Sequence, residues 1–596
     1  MEVGASGQFG GQTNGSPYIP GLTIQPSGTF ELAGANLEYG NSYETIGSLT
    51  MYGGTVLLAG AFEPGFNGFG FGTNYGELDV AGPINIESSP YTSFITGHGK
   101  GWRGSSPGSQ DTTNYQSSSL LLATATNVIN VQSGGALLMD TPFTTGYFTG
   151  GGLQPIVYSP NTLIKTGTGL LWTTGTNTYA GNTYVQQGEW VVGGDTPFGS
   201  VYNATNATNI AIFYGLGYRD GPANNHVVVS TGATILAVSP FNCPVPLVLN
   251  GQGVNANAGA LNITANGTRF SAGCTLGSDS WISVGSGDNL FFDDFDNTNG
   301  DAPPLAGSST LYKQGSGDLL LYMSLPVAQP FPNEFSGPAI IADGTLELDG
   351  QNFIPMLLGP VTVGTNNTTT RAVLTLDTDW QLANNVAITI NSGCELYNFA
   401  GVAPTLGSLT LNSGTVYGGT MILNGNISAQ DVGGVYLPSI YSNLSLNGTN
   451  RTFNVATNSF LEMYGNVTDG GNHAGIIKTG PGELDFGGTN SCAGATMANT
   501  GRVGVFNSAA FSPTPAGGVV VSNGAELALY DGAKVGAAPL SLTGTGEDAF
   551  GALKGYGTNS WAGTITLAAF DPKARFAGGS SPGPLYIVNP RQRRRS

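Results

Sequence analysis

The residues best suited to chemistry are few and scattered. His98 stands in Gly97-His98-Gly99, followed by Lys100 and Arg103. A base flanked by cations is what a lyase needs to draw a proton from a sugar acid. Glycoside hydrolysis asks instead for two carboxylates about 5–9.5 Å apart, and no such pair is defined by the order of residues alone. His226 and His473 have no Ser or Cys in a triad-like pattern. Asp293-Asp-Phe-Asp-Asn-Thr-Asn-Gly-Asp301 gathers carboxylates, which makes Asp294, Asp296 and Asp301 candidate calcium ligands. The run lacks the glycine offset and closing Glu of an EF-hand, and a solvated acidic turn is the simpler reading. Trp102, Trp172, Trp190, Trp281, Trp380 and Trp561 could stack on sugars, but most lie in strand-like runs where packing is the default. No catalytic residue and no cofactor site is assigned.

The elements that would position these residues repeat. Leu163-Ile-Lys-Thr-Gly-Thr-Gly-Leu-Leu171, Leu311-Tyr-Lys-Gln-Gly-Ser-Gly-Asp-Leu319 and Ile476-Ile-Lys-Thr-Gly-Pro-Gly-Glu-Leu484 share Lys-x-Gly-x-Gly between apolar pairs. Each is followed by a strand opened by glycine, at Gly188, Gly344 and Gly501. A longer repeat matches Pro246–Gly253 and Leu261 with Pro539–Gly546 and Leu553. Short Val/Ile/Leu/Thr runs bounded by Gly, Asn or Ser fill the rest, and no apolar stripe of helical period separates them. Repetition of this kind predicts a stack of parallel β-coils with almost no α-helix. The stretch from Lys165 to Leu261 is longer than the matching stretch from Lys478 to Leu553. The excess is about the length of one coil, ~20–29 residues in solenoids of this kind. It is either a whole coil or a surface insertion near Pro197–Pro222.

Composition supports this reading. Of 596 residues 94 are Gly, only 9% are charged and 40% are hydrophobic. That is too apolar for disorder and too poor in helix formers for a helical protein. A net charge of −19 disfavours nucleic acid and anionic membranes as partners. No apolar run of about 18 residues exists to span a membrane as a helix. Residues 1–20 lack the basic start and apolar core of a signal peptide, so a leader was removed or the chain is a piece of a longer one. The tail Arg591-Gln-Arg-Arg-Arg595 is the one basic run. Four cysteines are too few for a disulfide scaffold; Cys243 and Cys274 are close enough for one bridge, and single buried thiols are the simpler expectation. Working boundaries are 1–160, a degenerate N-terminal stack, then repeat modules at 161–307, 308–473 and 474–596, the last incomplete and ending in the basic tail 591–596.

The three Lys-x-Gly-x-Gly segments resemble the autotransporter-associated β-strand repeat. The copy at Leu163–Val192 carries Lys165, Gly167, Gly169, Asn177, Tyr179, Gly181, Thr183 and Gly188. The copy at 476–505 keeps Lys478, Gly480, Gly482, Asn490, Gly494, Thr496 and Gly501, with Cys492 in place of the tyrosine. The resemblance implies a single elongated right-handed parallel β-helix with surface loops, exported to the outer surface of a bacterium as a passenger. Such passengers are usually joined to a membrane β-barrel, and residues 570–596 show none of its alternating strands. The histidine motif at Gly97–Gly99 is similar to that of polygalacturonases, but there Asp-Asp precedes the histidine and here Asp293-Asp294 follows it.

The expected function is therefore a non-enzymatic extracellular β-solenoid: an adhesin, stalk or matrix protein. Its expected partners are surface glycans or further copies of itself joined end to end. The alternatives are a polysaccharide-acting β-helix enzyme, or a carbohydrate-binding surface protein using the aromatic-rich segments 62–75 and 98–115.

Overall fold

The computed structural model describes residues 2–3, 19–33, 42–59, 76–96, 119–122, 124–141, 143–144, 162–174, 177, 179, 181–194, 225–255, 258–293, 303–323, 335–350, 355–365, 370–433, 435–511, 518–567, 576–578 and 585–587. Among them there is no helix. Every strand pairing among the described residues is parallel, and most strands pair with the strand one coil before and the strand one coil after. The fold is an all-β parallel solenoid. The chain divides into two compact units, Met1–Leu311 and Tyr312–Ser596.

In the first unit one ladder runs through Leu163–Thr183–Val227–Leu247–Cys274–Leu305. A second runs through Leu171–Trp190–Ile235–Leu261–Ile282. Shorter ladders close the third side, such as Ser42–Ile46 on Gly76–Val80, and Thr268–Phe270 on Asn289–Phe292. In the second unit a single inward column links Leu346, Leu374, Leu396, Val416, Ile440, Met463, Phe486, Val505 and Leu529. These side chains are at most 1% exposed. Burying each contributes on the order of 2 kcal/mol. The strand period of two sends alternate residues inside, and the burial patterns follow it, as in Gly344–Gly350. Coil length varies along this column. The step from Phe486 to Val505 is the shortest and that from Leu346 to Leu374 the longest.

The two long repeats make the same number of coils. Lys165 pairs with Val185 and Lys478 with Ala498, the same step along the chain in both. Leu261 and Leu553 also lie equally far beyond their partners Ile235 and Leu527. The coils between differ: Trp190 runs on to Ile235, whereas the much shorter coil from Val503 already closes at Leu527. The whole excess of the first repeat therefore sits in one coil. It is an insertion and not an additional coil, and it falls among residues 195–224, outside the described ones.

Candidate functional site

The motif lysines point inward. Lys165, Lys313 and Lys478 are all 0% exposed. Each sits at the position of an inward residue, two after Leu163, Leu311 or Ile476, so strand alternation turns it into the core. Each ammonium then finds carbonyls and not a carboxylate. Lys165 Nζ donates to the carbonyls of Thr166 (3.3 Å), Gly167 (2.7 Å) and, one coil on, Gln187 (2.8 Å). Lys313 Nζ donates to Gln314 (3.4 Å), Gly315 (2.6 Å) and Asp343 (2.8 Å). Lys478 Nζ donates to Thr479 (3.0 Å), Gly480 (2.7 Å) and Thr500 (3.1 Å). Burial pushes each lysine down to about 8, against the charges of Glu189, of Asp343 and Asp318, and of Glu547 and Glu483 respectively. Three N–H groups meeting three corner carbonyls pin one coil to the next.

The other motif residues are structural too. Asn177 Oδ1 accepts from Phe143 N at 2.8 Å, and Asn490 Oδ1 from Val467 N at 2.9 Å. Tyr179 is buried with its hydroxyl 2.5 Å from Thr183 Oγ1. Cys492 fills the equivalent place with its Sγ toward Val467 O. All four cysteines are free and buried, and burial pushes the Cys243 and Cys492 thiols up to about 12. Cys243 and Cys274 form no bridge.

The chemistry-bearing side chains gather on the outer face of the long ladder of the second unit. Tyr397, Tyr417, Tyr441 and Tyr464 occupy successive coils. Their rings stack at 5.1, 5.0 and 4.6 Å between centroids, inclined by 18° or less, and Phe399 stacks on Tyr397 at 5.9 Å. Gly487 holds the next rung, beside which Phe486 pairs with Met463 and Val505. The stack resumes as Phe506, Tyr530 and Tyr556, at 4.6 and 4.9 Å.

Carboxylates flank this ladder. Glu347 and Asp377 share a hydrogen bond; burial, that bond and the charges of Asp377, Asp318 and Asp349 push Glu347 up to about 7. Burial, the charge and hydrogen bond of Glu483, and the charge of Glu462 push Asp485 up to about 8, with Arg502 pulling the other way. Glu483 also accepts from Tyr530 Oη at 2.9 Å and pairs with Arg502 at 3.3 Å. Arg502 Nε continues to the fully buried Glu526 at 2.7 Å, which Lys554 meets at 2.7 Å.

Such pairs could in principle do acid–base work, yet their geometry is wrong for glycoside hydrolysis. Both carboxyls of a pair bond to each other, whereas the reaction needs a gap of about 5–9.5 Å for the sugar and water. A shallow depression in the first unit, lined by Thr231, Gln252, Ser278 and Trp281, has one carboxylate, Asp279, already accepting from Thr310 N at 2.8 Å.

Of the candidates read from sequence, His98, Lys100, Arg103, Trp102 and the calcium candidates Asp294, Asp296 and Asp301 lie outside the described residues, as do the whole of the aromatic-rich segments 62–75 and 98–115 and the tail 591–596. Asp293 is buried and ion-paired with Arg269, whose guanidinium also lies 4.8 Å over the Phe291 ring. Among the described residues no group of three or more His, Cys, Asp or Glu side chains is arranged to hold a metal ion. His226 belongs to the first unit and His473 to the second. Trp190 and Trp561 are core residues whose indoles donate to Thr173 Oγ1 and Ala538 O. Trp172 donates to Gly193 O at 2.6 Å, and Trp380 is 40% exposed. The tyrosine ladder and both carboxyl pairs went unassigned in the sequence.

No family model matches the chain, and neither the curated proteins nor the solved structures contain a match. The resemblance to the autotransporter-associated repeat rests on the motif residues alone.

Proposed function

We propose that this chain is a non-catalytic β-solenoid of the outer bacterial surface, a stalk or adhesive scaffold of the passenger type. The observation that carries this reading is the inward placement of the repeated motif. Lys165, Lys313 and Lys478, with Asn177 and Asn490, spend their polar groups on holding coils together. The carboxyl pairs on the outer face are closed on each other or on Arg502 and have no room for a bond to be cut between them.

The test is incubation of the full chain with a panel of neutral, amino and uronic polysaccharides, followed by assay for reducing ends and unsaturated uronates. No turnover above a boiled control is expected. Turnover abolished by Asp485→Asn, Glu347→Gln or His98→Ala would replace this reading with an enzymatic one.

A further inference from the structure

The depression in the first unit is made by an irregularity in the strand ladder. Leu249 pairs with Leu276, but Gly251 pairs with Ser280, so the strand Cys274–Val284 carries extra residues around Gly277–Asp279. Bulges are rare in parallel ladders, and where they occur they re-aim side chains. This one turns Ser278 and Asp279 away from the core. It is pinned at both ends. The buried Ser280 donates from Oγ to Ser278 O at 2.8 Å, and Asp279 Oδ1 accepts from Thr310 N at 2.8 Å. Beyond the bulge Trp281 lies on the outward parity of the strand, half-buried. The coil before sets only Gly259 and Ala260 alongside it.

The resulting hollow has a volume of about 520 Å³, room for a sugar ring. Its floor is glycine at 232, 251 and 253, so backbone bounds it there. Its rim is polar, with Thr231, Gln252 and Asp279 all exposed. Among the described residues no protein group hydrogen-bonds to the Thr231 hydroxyl, the Gln252 amide or Asp279 Oδ2.

These groups define a ligand. An indole packs against an apolar surface about one ring wide. A carboxylate only accepts hydrogen bonds, whereas a hydroxyl and an amide both donate and accept. The matching molecule carries hydroxyls around an apolar face, and a pyranose does so: its axial C–H bonds make the face and its equatorial hydroxyls the rim. Charge narrows the class, since Asp279 and the net −19 of the chain oppose uronic or sulfated sugars. A single indole is also not the cage of several aromatics that grips an alkylated ammonium.

We propose that Trp281, Asp279, Gln252 and Thr231 form a binding subsite for a neutral pyranose unit of a surface glycan. This rests on the non-catalytic adhesive reading and gives that scaffold a place at which it adheres.

The experiment is ligand-observed saturation-transfer NMR on the full chain with methyl glucopyranoside, methyl galactopyranoside and methyl mannopyranoside, and with a methyl glucuronide as the anionic control. At least one neutral pyranoside should bind with a Kd on the order of 1 mM, the strength of a small ligand on an open site. Trp281→Ala should weaken it about tenfold. Gln252→Ala, in an exposed turn, should weaken it about threefold. Asp279→Asn keeps an acceptor for Thr310 N while removing the charge, and should narrow the gap between the neutral sugar and the glucuronide. Far-ultraviolet circular dichroism checks that Trp281→Ala keeps the fold; should it not, the other two variants decide. No binding of any neutral pyranoside, binding that none of the substitutions changes, or a glucuronide bound as tightly as the best neutral sugar would overturn the subsite. Release of methanol is followed in the same samples. Hydrolysis would sink the non-catalytic reading, whereas absent binding without hydrolysis would sink the subsite alone.

Discussion

Lys478→Met should loosen two adjacent coils while leaving the rest of the stack folded. Methionine keeps the alkyl volume of the side chain but removes the ammonium. The carbonyls of Thr479, Gly480 and Thr500 then lose their shared donor. Leaving buried acceptors unsatisfied costs about 1–3 kcal/mol each. The substitution also removes the penalty of burying a cation, which is what pushes Lys478 down to about 8. The three carbonyls outweigh that relief, and a net loss of about 2–4 kcal/mol is expected. In a solenoid such a loss is felt locally, because each coil contacts only its neighbours. Hydrogen exchange at the amides of Ile476–Thr479 and Gly501–Val505 should therefore accelerate on the order of a hundredfold, with distant coils unchanged. Lys165→Met and Lys313→Met should do the same to their own coils. Unchanged protection at all three sites would show that the lysines are passengers in the core.

Gly501→Ala should damage the same corner by a different route. Gly501 has φ +69°, and a Cβ there would lie 2.5 Å from both Gly480 O and Gly482 O, which are backbone atoms with nowhere to retreat. Gly480 O is also an acceptor of Lys478, so a shift large enough to admit the methyl group breaks the lysine's contact as well. The left-handed conformation alone costs an alanine about 1–2 kcal/mol, and the clash should bring the total to about 3 kcal/mol or more. Gly524→Ala separates the two effects: its φ is +83° but a Cβ meets nothing within 4 Å. Urea unfolding should place Gly501→Ala at least about 1.5 kcal/mol below Gly524→Ala. Equal losses would mean that φ alone explains the glycine.

The fold was legible because its rules are local. Alternation along runs such as Ala372–Leu376 marks one inward face, and glycine-bounded corners separate the runs. The role of Lys165 was within reach as well, since it shares parity with the inward Leu163. What hid it is the general rule that lysine stays in water unless its head is satisfied, and the satisfying carbonyl of Gln187 comes from the next coil. The tyrosine ladder was harder to see. The steps from Tyr397 to Tyr417, on to Tyr441 and on to Tyr464 are unequal, so no fixed period exposes them. Glu347 and Asp377 meet across the long coil that joins Leu346 to Leu374, again a contact that only the register defines. Glu483 and Asp485 were more accessible, being two apart on one strand and so on one face. The length difference between the long repeats could not be resolved from counting, because an insertion and a coil are about equally long here.

The most direct measurement is oxidation of paired cysteines placed one coil apart. Tyr397 and Tyr417 are register partners on the outer face. Adjacent strands put their Cα atoms ~4.8 Å apart, within the span of about 4.4–6.8 Å that a disulfide bridges. Val416, one residue earlier, faces the core, because a slip of one residue changes the face. The double variant Tyr397→Cys with Tyr417→Cys should oxidise readily in the folded chain, while Tyr397→Cys with Val416→Cys should not. The native thiols are buried and should not compete. Cross-linking of the second pair in place of the first, or of neither, would contradict a stack of parallel coils in this register.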